Sequence, residues 1–235
     1  MSVLSLQNVS YRYDGSKKDV LKNLSVDFEK GKVYCIIGKS GAGKSTLLSL
    51  ISGLDICKSG EILYKEKSLK NLDRDRYRAN DIGVVFQGYN LLLNATAKEN
   101  IVLSMNISNV KTRNKTALAE TLLSDVGIDS DKGNRKILNL SGGEQQRVGI
   151  ARAISHDADI IIADEPTGNL DSETQSDILK IFTTLAHEKG KCVIIVTHSK
   201  QVTGIADVIY TLKDGHLIEI RKRLKDNLIE TYPTK

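Results

Sequence analysis

A continuous apolar run, Val33-Tyr34-Cys35-Ile36-Ile37, leads straight into Gly38-Lys39-Ser40-Gly41-Ala42-Gly43-Lys44-Ser45-Thr46. The second stretch fits the pattern G-x-x-x-x-G-K-[ST], a loop whose glycines let successive backbone N–H groups point into a concave cradle for phosphate oxygens. A buried strand that enters such a loop argues for an α/β sheet with ligands at the strand carboxyl ends. A helix expected over 46–52 and closed by Gly53 follows, and the positive helix end near Lys44 faces the phosphates. Lys44 is expected to reach the β- and γ-phosphates, and Ser45 to offer its hydroxyl to Mg²⁺.

A second apolar strand, Ile160-Ile161-Ile162-Ala163, ends in Asp164-Glu165. That ending places Asp164 at the carboxyl edge of the sheet, where it can hold Mg²⁺ through water. Glu165 points differently and is placed to polarise an attacking water. Taken alone, an Asp-Glu pair at a strand end is more often solvated surface; beside a phosphate loop it reads as chemistry.

Alternating apolar residues predict strands through Leu4, Leu6 and Val9, through Leu24, Val26 and Phe28, and an edge strand over 60–64. The strand over 82–86 delivers Gln87. From about 96 to 138 the pattern turns helical and more polar, clearest over 95–105 and 115–126, and continues into a helix over 142–155. Strand and helix then alternate again: a strand over 160–163, an amphipathic helix over 172–187, a strand over 193–197 ending at His198, and a short helix over 200–206. A hairpin about Asp214-Gly215 closes the pattern.

With 235 residues, 40% hydrophobic and 27% charged, the chain is long enough for one large domain with a sub-domain. No apolar stretch approaches the ~20 residues that span a bilayer, and the first residues lack the design of a signal peptide. The net charge of +5 is interspersed, apart from Arg221-Lys222-Arg223-Leu224-Lys225, which reads as a solvated tail facing anionic headgroups. Cys35 and Cys192 sit in apolar runs as buried thiols, and the four histidines show no metal-ligand spacing.

Leu140-Ser141-Gly142-Gly143-Glu144-Gln145-Gln146-Arg147 matches a second motif, and with it the chain resembles the ATP-binding subunits of ABC transporters from about Leu4 to Ile220. The resemblance implies a P-loop NTPase core of ABC ATPase type with an antiparallel β sub-domain and an inserted helical sub-domain. The RecA-like core would span about 1–87 and 157–220, the helical sub-domain about 88–156, and a short basic tail 221–235. ATP and Mg²⁺ are the implied cofactors. Glu165 would be the catalytic base, Gln87 would touch Mg²⁺ and the lytic water, and His198 would hydrogen-bond the γ-phosphate. Tyr13 stands where the family stacks an aromatic on adenine, with Tyr11 two residues away as the alternative. Ser141, Gly142 and Gly143 would grip ATP held by a second copy of the chain, and Asp171 belongs to the D-loop between the two sites.

Asp164-Glu165-Pro166-Thr167-Gly168-Asn169-Leu170-Asp171 resembles the branch serving lipoprotein release, macrolide export, peptide-antibiotic resistance and cell division. Its permeases belong to the FtsX superfamily. The implied partner is therefore a separate FtsX-type permease, met at the cytoplasmic face of the membrane through the surface near 88–100, with Lys98 and Glu99 as contacts. A regulatory ATPase signalling through a membrane partner is the alternative. The long coiled coil of DNA-repair relatives and the paired domains of ribosomal ones are absent from the sequence, so no nucleic-acid partner is expected.

Overall fold

The computed structural model describes residues 2–223 and 229–231. β1 (Ser2–Tyr11) and β2 (Leu21–Glu29) are followed by β3 (Lys32–Ile37), the glycine-rich loop and α1 (Lys44–Ile51). Next come β4 (Ser59–Tyr64), β5 (Lys67–Ser68), α2 (Arg74–Asn80) and β6 (Ile82–Val85). The helical stretch holds α3 (Ala97–Ile107), α4 (Lys115–Asp125), α5 (Ser130–Gly133), a 3-10 turn (Ile137–Asn139) and α6 (Gly142–Ile154). The chain then runs through β7 (Ile160–Asp164), α7 (Ser172–His187), β8 (Cys192–Val196), α8 (Lys200–Ile205), β9 (Val208–Lys213), β10 (His216–Arg223) and β11 (Ile229–Thr231).

Among the described residues these strands form a four-stranded antiparallel sheet, β2-β1-β4-β5, and a seven-stranded sheet, β11-β10-β9-β3-β8-β7-β6. In the larger sheet β6, β7, β8, β3 and β9 are parallel neighbours, and β10 and β11 return antiparallel. Burial on both faces explains the continuous apolar runs of β3, β7 and β8, because a parallel strand covered on both sides has no polar face. Alternation divides the core in two. Val33, Cys35, Ile161, Ala163, Val193 and Ile195 pack toward the cluster that includes α3, α4, α6 and α7 residues. Tyr34, Ile36, Ile160, Ile162, Ile194 and Val196 face the cluster built with α1 and the four-stranded sheet. Leu47, Leu50 and Ile51 of α1 are fully buried in that second cluster, so truncating one would cost about 2–5 kcal/mol.

The register positions the chemistry. Ile36 pairs with Val196, Asp164 also pairs with Val196, and Val85 pairs with Ala163. The carboxyl ends of β3, β8, β7 and β6 therefore lie side by side, and the phosphate loop, His198, Glu165 and Gln87 leave from one sheet edge.

Some details differ from the sequence pattern. α1 starts at Lys44, directly after the left-handed turn at Gly43, earlier than the apolar periodicity suggests. β4 is not an edge strand, because the short β5 pairs along it. α2 was invisible as a periodic helix: Tyr77 is its one buried residue, and Asp73, accepting from the amides of Asp75 and Arg76, starts it. Residues 221–223 belong to β10, which pairs with β11. The rest of the basic tail expected to face lipid, 224–228 and 232–235, lies outside the described residues.

Candidate functional site

Gly38, Gly41 and Gly43 shape the loop for different reasons. A Cβ on Gly38 would stand 2.6 Å from the Leu212 carbonyl oxygen, so this glycine lets β9 pack under the loop. Gly43, at φ +103°, turns the chain into α1 and would push a Cβ to 3.0 Å from Leu21. Gly41, at φ +78°, opens onto free space. Among the described helices, α1 and α8 begin without a side-chain cap, whereas α2, α3, α4, α5, α6 and α7 all have one. The first amides of α1, near Lys44, Ser45 and Thr46, thus present an uncapped positive helix end, the arrangement that binds an anion. Lys39, Ser40, Ala42 and the β9–β10 turn line a cleft of about 790 Å³ on the outer side of the loop. Lys44 Nζ donates to the carbonyls of Gly38 at 2.8 Å and Lys39 at 3.1 Å, holding the cation at the loop.

Glu165 breaks strand geometry immediately after β7. It lies at φ +45°, a left-handed conformation costing a non-glycine residue roughly 1–2 kcal/mol. The turn takes its carboxylate away from that of Asp164 and toward the end of β8. There Thr197 Oγ1 donates to Glu165 Oε2 at 2.8 Å, and His198 Nδ1 lies 2.6 Å from Oε1. Thr197 is fully buried, whereas the His198 side chain is 76% exposed and can reach a ligand above the sheet edge. Asp164 has its pKa raised by burial and by the neighbouring Glu165 charge, and Lys44 opposes the shift. A cation beside Asp164 would relieve that strain.

Gln87 follows β6 and is exposed; its Nε2 would be 3.3 Å from a Cβ on Gly168, in the loop after Glu165. Tyr11 and Tyr13 do not share an environment. Tyr11 ends β1 and is buried, while Tyr13 lies beyond the strand with its ring edge-on to Tyr11 at 5.1 Å and 49% exposed. The Tyr13 hydroxyl is 2.7 Å from Thr46 Oγ1, so the exposed aromatic is tied to α1.

Ser141, Gly142 and Gly143 open α6 beside Tyr89, Leu170 and Thr174. Ser141 and Glu144 form a capping box: the Glu144 amide donates to Ser141 Oγ at 3.3 Å and the Ser141 amide to Glu144 Oε2 at 2.8 Å. The cap engages Glu144, leaving the Gly142 and Gly143 amides outside it. Asp171 caps α7 through the Thr174 amide at 2.9 Å. Neither group meets the phosphate loop of its own chain in the contacts observed.

Sequence reasoning missed Thr197, whose only signal was its place between an apolar strand and a histidine. Lys98 and Glu99, expected at the permease contact, also have partners within the chain. Lys98 is 16% exposed, held by Glu120 and by Asn134 at 2.9 Å, and Glu99 closes the capping box of α3 on Thr96. The chain just before them exposes apolar side chains, with Leu92 and Leu93 about half exposed.

A phosphate loop, an acidic strand end and a strand-end histidine on one parallel sheet edge define a P-loop nucleotide hydrolase. The ABC transporter family model matches residues 21–168. The ABC transporter ATP-binding protein YclH of Bacillus subtilis is 44% identical over 92% of this chain and 95% of its own length. The lipoprotein-releasing system ATP-binding protein LolD of Francisella tularensis is 38% identical over 92% of this chain and 95% of its own length. The dimeric ATP-binding cassette MJ0796, solved in a post-hydrolysis state with ADP and Pi, superposes at a TM-score of 0.83 with 33% identity, covering 99% of this chain and all of that one. The chain belongs to the ABC transporter family as an ATP-binding, ATP-hydrolysing subunit of the LolD/MacB branch. No described helix is long and apolar enough to cross a membrane.

Proposed function

We propose that this chain powers a separate FtsX-type permease from the cytoplasmic face of the membrane, driving export or release of an amphipathic peptide, antibiotic or lipid-linked substrate. The observation that carries the reading is the split between two phosphate-binding helix ends. The uncapped α1 end lies with Glu165, Gln87 and His198, whereas the α6 end is bordered by Tyr89, Leu170 and Thr174 and no observed hydrogen bond joins it to the phosphate loop. Two such ends that do not share a nucleotide fit an ATP sandwiched between two copies of the chain.

In that arrangement residues 38–46 cradle the phosphates, Lys44 neutralises the β- and γ-phosphates, and Tyr13 stacks on adenine. Ser141, Gly142 and Gly143, with Asp171 nearby, complete the site of the partner copy. Mg²⁺ fits the hydroxyl, amide and carboxylate oxygens of Ser45, Gln87 and Asp164, all hard donors, and would supply charge neutralisation at the phosphates. Glu165, fixed by Thr197, accepts the proton of the attacking water. His198 donates to the γ-phosphate and shares its ring with Glu165.

The permease contact is assigned to the apolar surface at Leu92 and Leu93, shortly after Gln87 in the chain, with support from the resemblance of residues 164–171 to the FtsX-linked branch. Co-expression with an FtsX-type permease tests it. Leu92→Asp with Leu93→Asp should abolish permease-stimulated hydrolysis and leave the basal rate of the free subunit unchanged. Stimulation equal to wild type would reject the docking surface. Substrate-dependent stimulation in vesicles supports transport over signalling alone.

A further inference from the structure

Past Gln87 the chain turns abruptly. Tyr89, at φ +60°, and Asn90, at φ +49°, are consecutive non-glycine residues in the left-handed region. Such a pair persists only where its surroundings hold it. Arg152, in the third turn of α6, does the holding: its Nη2 donates to the Tyr89 carbonyl at 3.0 Å, and its Nη1 donates to the Asn90 carbonyl. Two donors on successive carbonyls suit the flat guanidinium fork, which a lysine cannot reproduce.

The Tyr89 side chain reaches the opposite end of the same helix. A Cβ on Gly142 would stand 3.0 Å from the Tyr89 hydroxyl, and one on Gly149 3.9 Å from its carbonyl. Tyr89 is therefore laid along α6 from the first turn to the third. The far end of α6 is tied to α3, where Ser155 Oγ donates to Ser104 Oγ at 3.0 Å. On its other side the turn begins at Gln87, whose amide rests over Gly168, and the Gly168 amide donates to the Glu165 carbonyl at 3.2 Å.

We propose that Arg152 is a positioning residue that straps the turn 87–90 onto α6, so that a displacement of Gln87 on nucleotide binding carries Ser141 and Gly142 with it. The inference rests on the reading that Gln87 attends the chain's own ATP and Ser141 that of a second copy. Coupling between two such sites needs an element whose position both of them bias. A turn clamped at two points to the helix that starts with Ser141 is such an element.

The test uses the full chain with Arg152→Met and Arg152→Lys, in the native background for turnover and in a Glu165→Gln background for dimerisation. Arg152→Met should bind ATP as a monomer within about twofold of wild type, but need about tenfold more protein for half-dimerisation, the size expected for losing charge-assisted hydrogen bonds. Turnover should fall in parallel. Hydrogen exchange on dilute, monomeric protein separates coupling from mere folding. In the wild type, ATP should raise protection in both 87–91 and 141–146; in Arg152→Met it should rise in 87–91 alone. If the methionine variant lacks a thermal transition, Arg152→Lys, which keeps the charge but not the fork, is read on the same measurements. Joint protection and dimerisation equal to wild type in the folded variant would overturn the assignment. An Arg152-intact protein that stays monomeric with ATP would instead overturn the two-copy reading, while the exchange experiment still decides the strap.

Discussion

His198 Nδ1 lies 2.6 Å from Glu165 Oε1, joining a side chain that is 76% exposed to one that is 13% exposed. The inner residue is fixed from beneath by Thr197, and the outer one is free to meet a ligand. On the proposed reading this pair separates two roles at the sheet edge: a held carboxylate for the water, and a reaching imidazole for the phosphate.

Replacing Glu165 by Gln keeps the shape and an acceptor for Thr197 but removes the base. Steady-state hydrolysis should fall by about 10²–10⁴-fold with ATP binding retained. Thr197→Val removes a hydrogen bond to a charged group and should lower kcat by about tenfold with little change in KM. Colorimetric phosphate release checks both. Wild-type turnover by Glu165→Gln would reject the base assignment.

Tyr13 carries the only exposed ring of the Tyr11–Tyr13 pair. Tyr13→Ala should raise the ATP dissociation constant about 5–150-fold, from a stacking contribution of roughly 1–3 kcal/mol. Tyr13→Phe keeps the face and loses only the contact with Thr46, so its effect should be much smaller. Titration calorimetry distinguishes them; equal losses in the two variants would assign the role to the hydroxyl.

Much of this site was legible because its residues are fixed by backbone needs. A buried strand, Gly38, Gly43 and Lys44 follow one another in the chain, and strand ends at Asp164 and His198 follow from continuous apolar runs. Thr197 and Arg152 were not legible, since their partners lie 32 and 62–63 positions away and no periodicity marks them. The partners of Lys98 and Glu99 within the chain were not legible for a related reason: charges on a helix read as solvated unless the ion pair and capping box are visible. α2 escaped because a helix with one buried residue leaves no apolar stripe.

Asp159 provides a pH test of the fold away from the chemistry. Burial would raise its pKa, but hydrogen bonds from Lys30, Lys65 and Tyr64 outweigh it and hold the carboxyl down to about 2, below the ordinary aspartate value of 3.8. A depressed native pKa stabilises the folded state above the unfolded value, and that contribution is lost as pH falls through the native one. Asp159→Asn should therefore lower the urea midpoint at pH 6, and its deficit against wild type should shrink as pH falls from about 4 toward 2. A deficit independent of pH would show that the side chain acts through packing alone.

The two-copy ATP site is the centre of the account, and light scattering of Glu165→Gln with ATP and Mg²⁺ tests it most directly. The variant binds but does not turn over, so the sandwich should accumulate: the mass should rise from 25.9 kDa to twice that value with ATP, and Ser141→Arg should prevent the rise. A mass that stays at 25.9 kDa at high protein and saturating ATP would contradict the account.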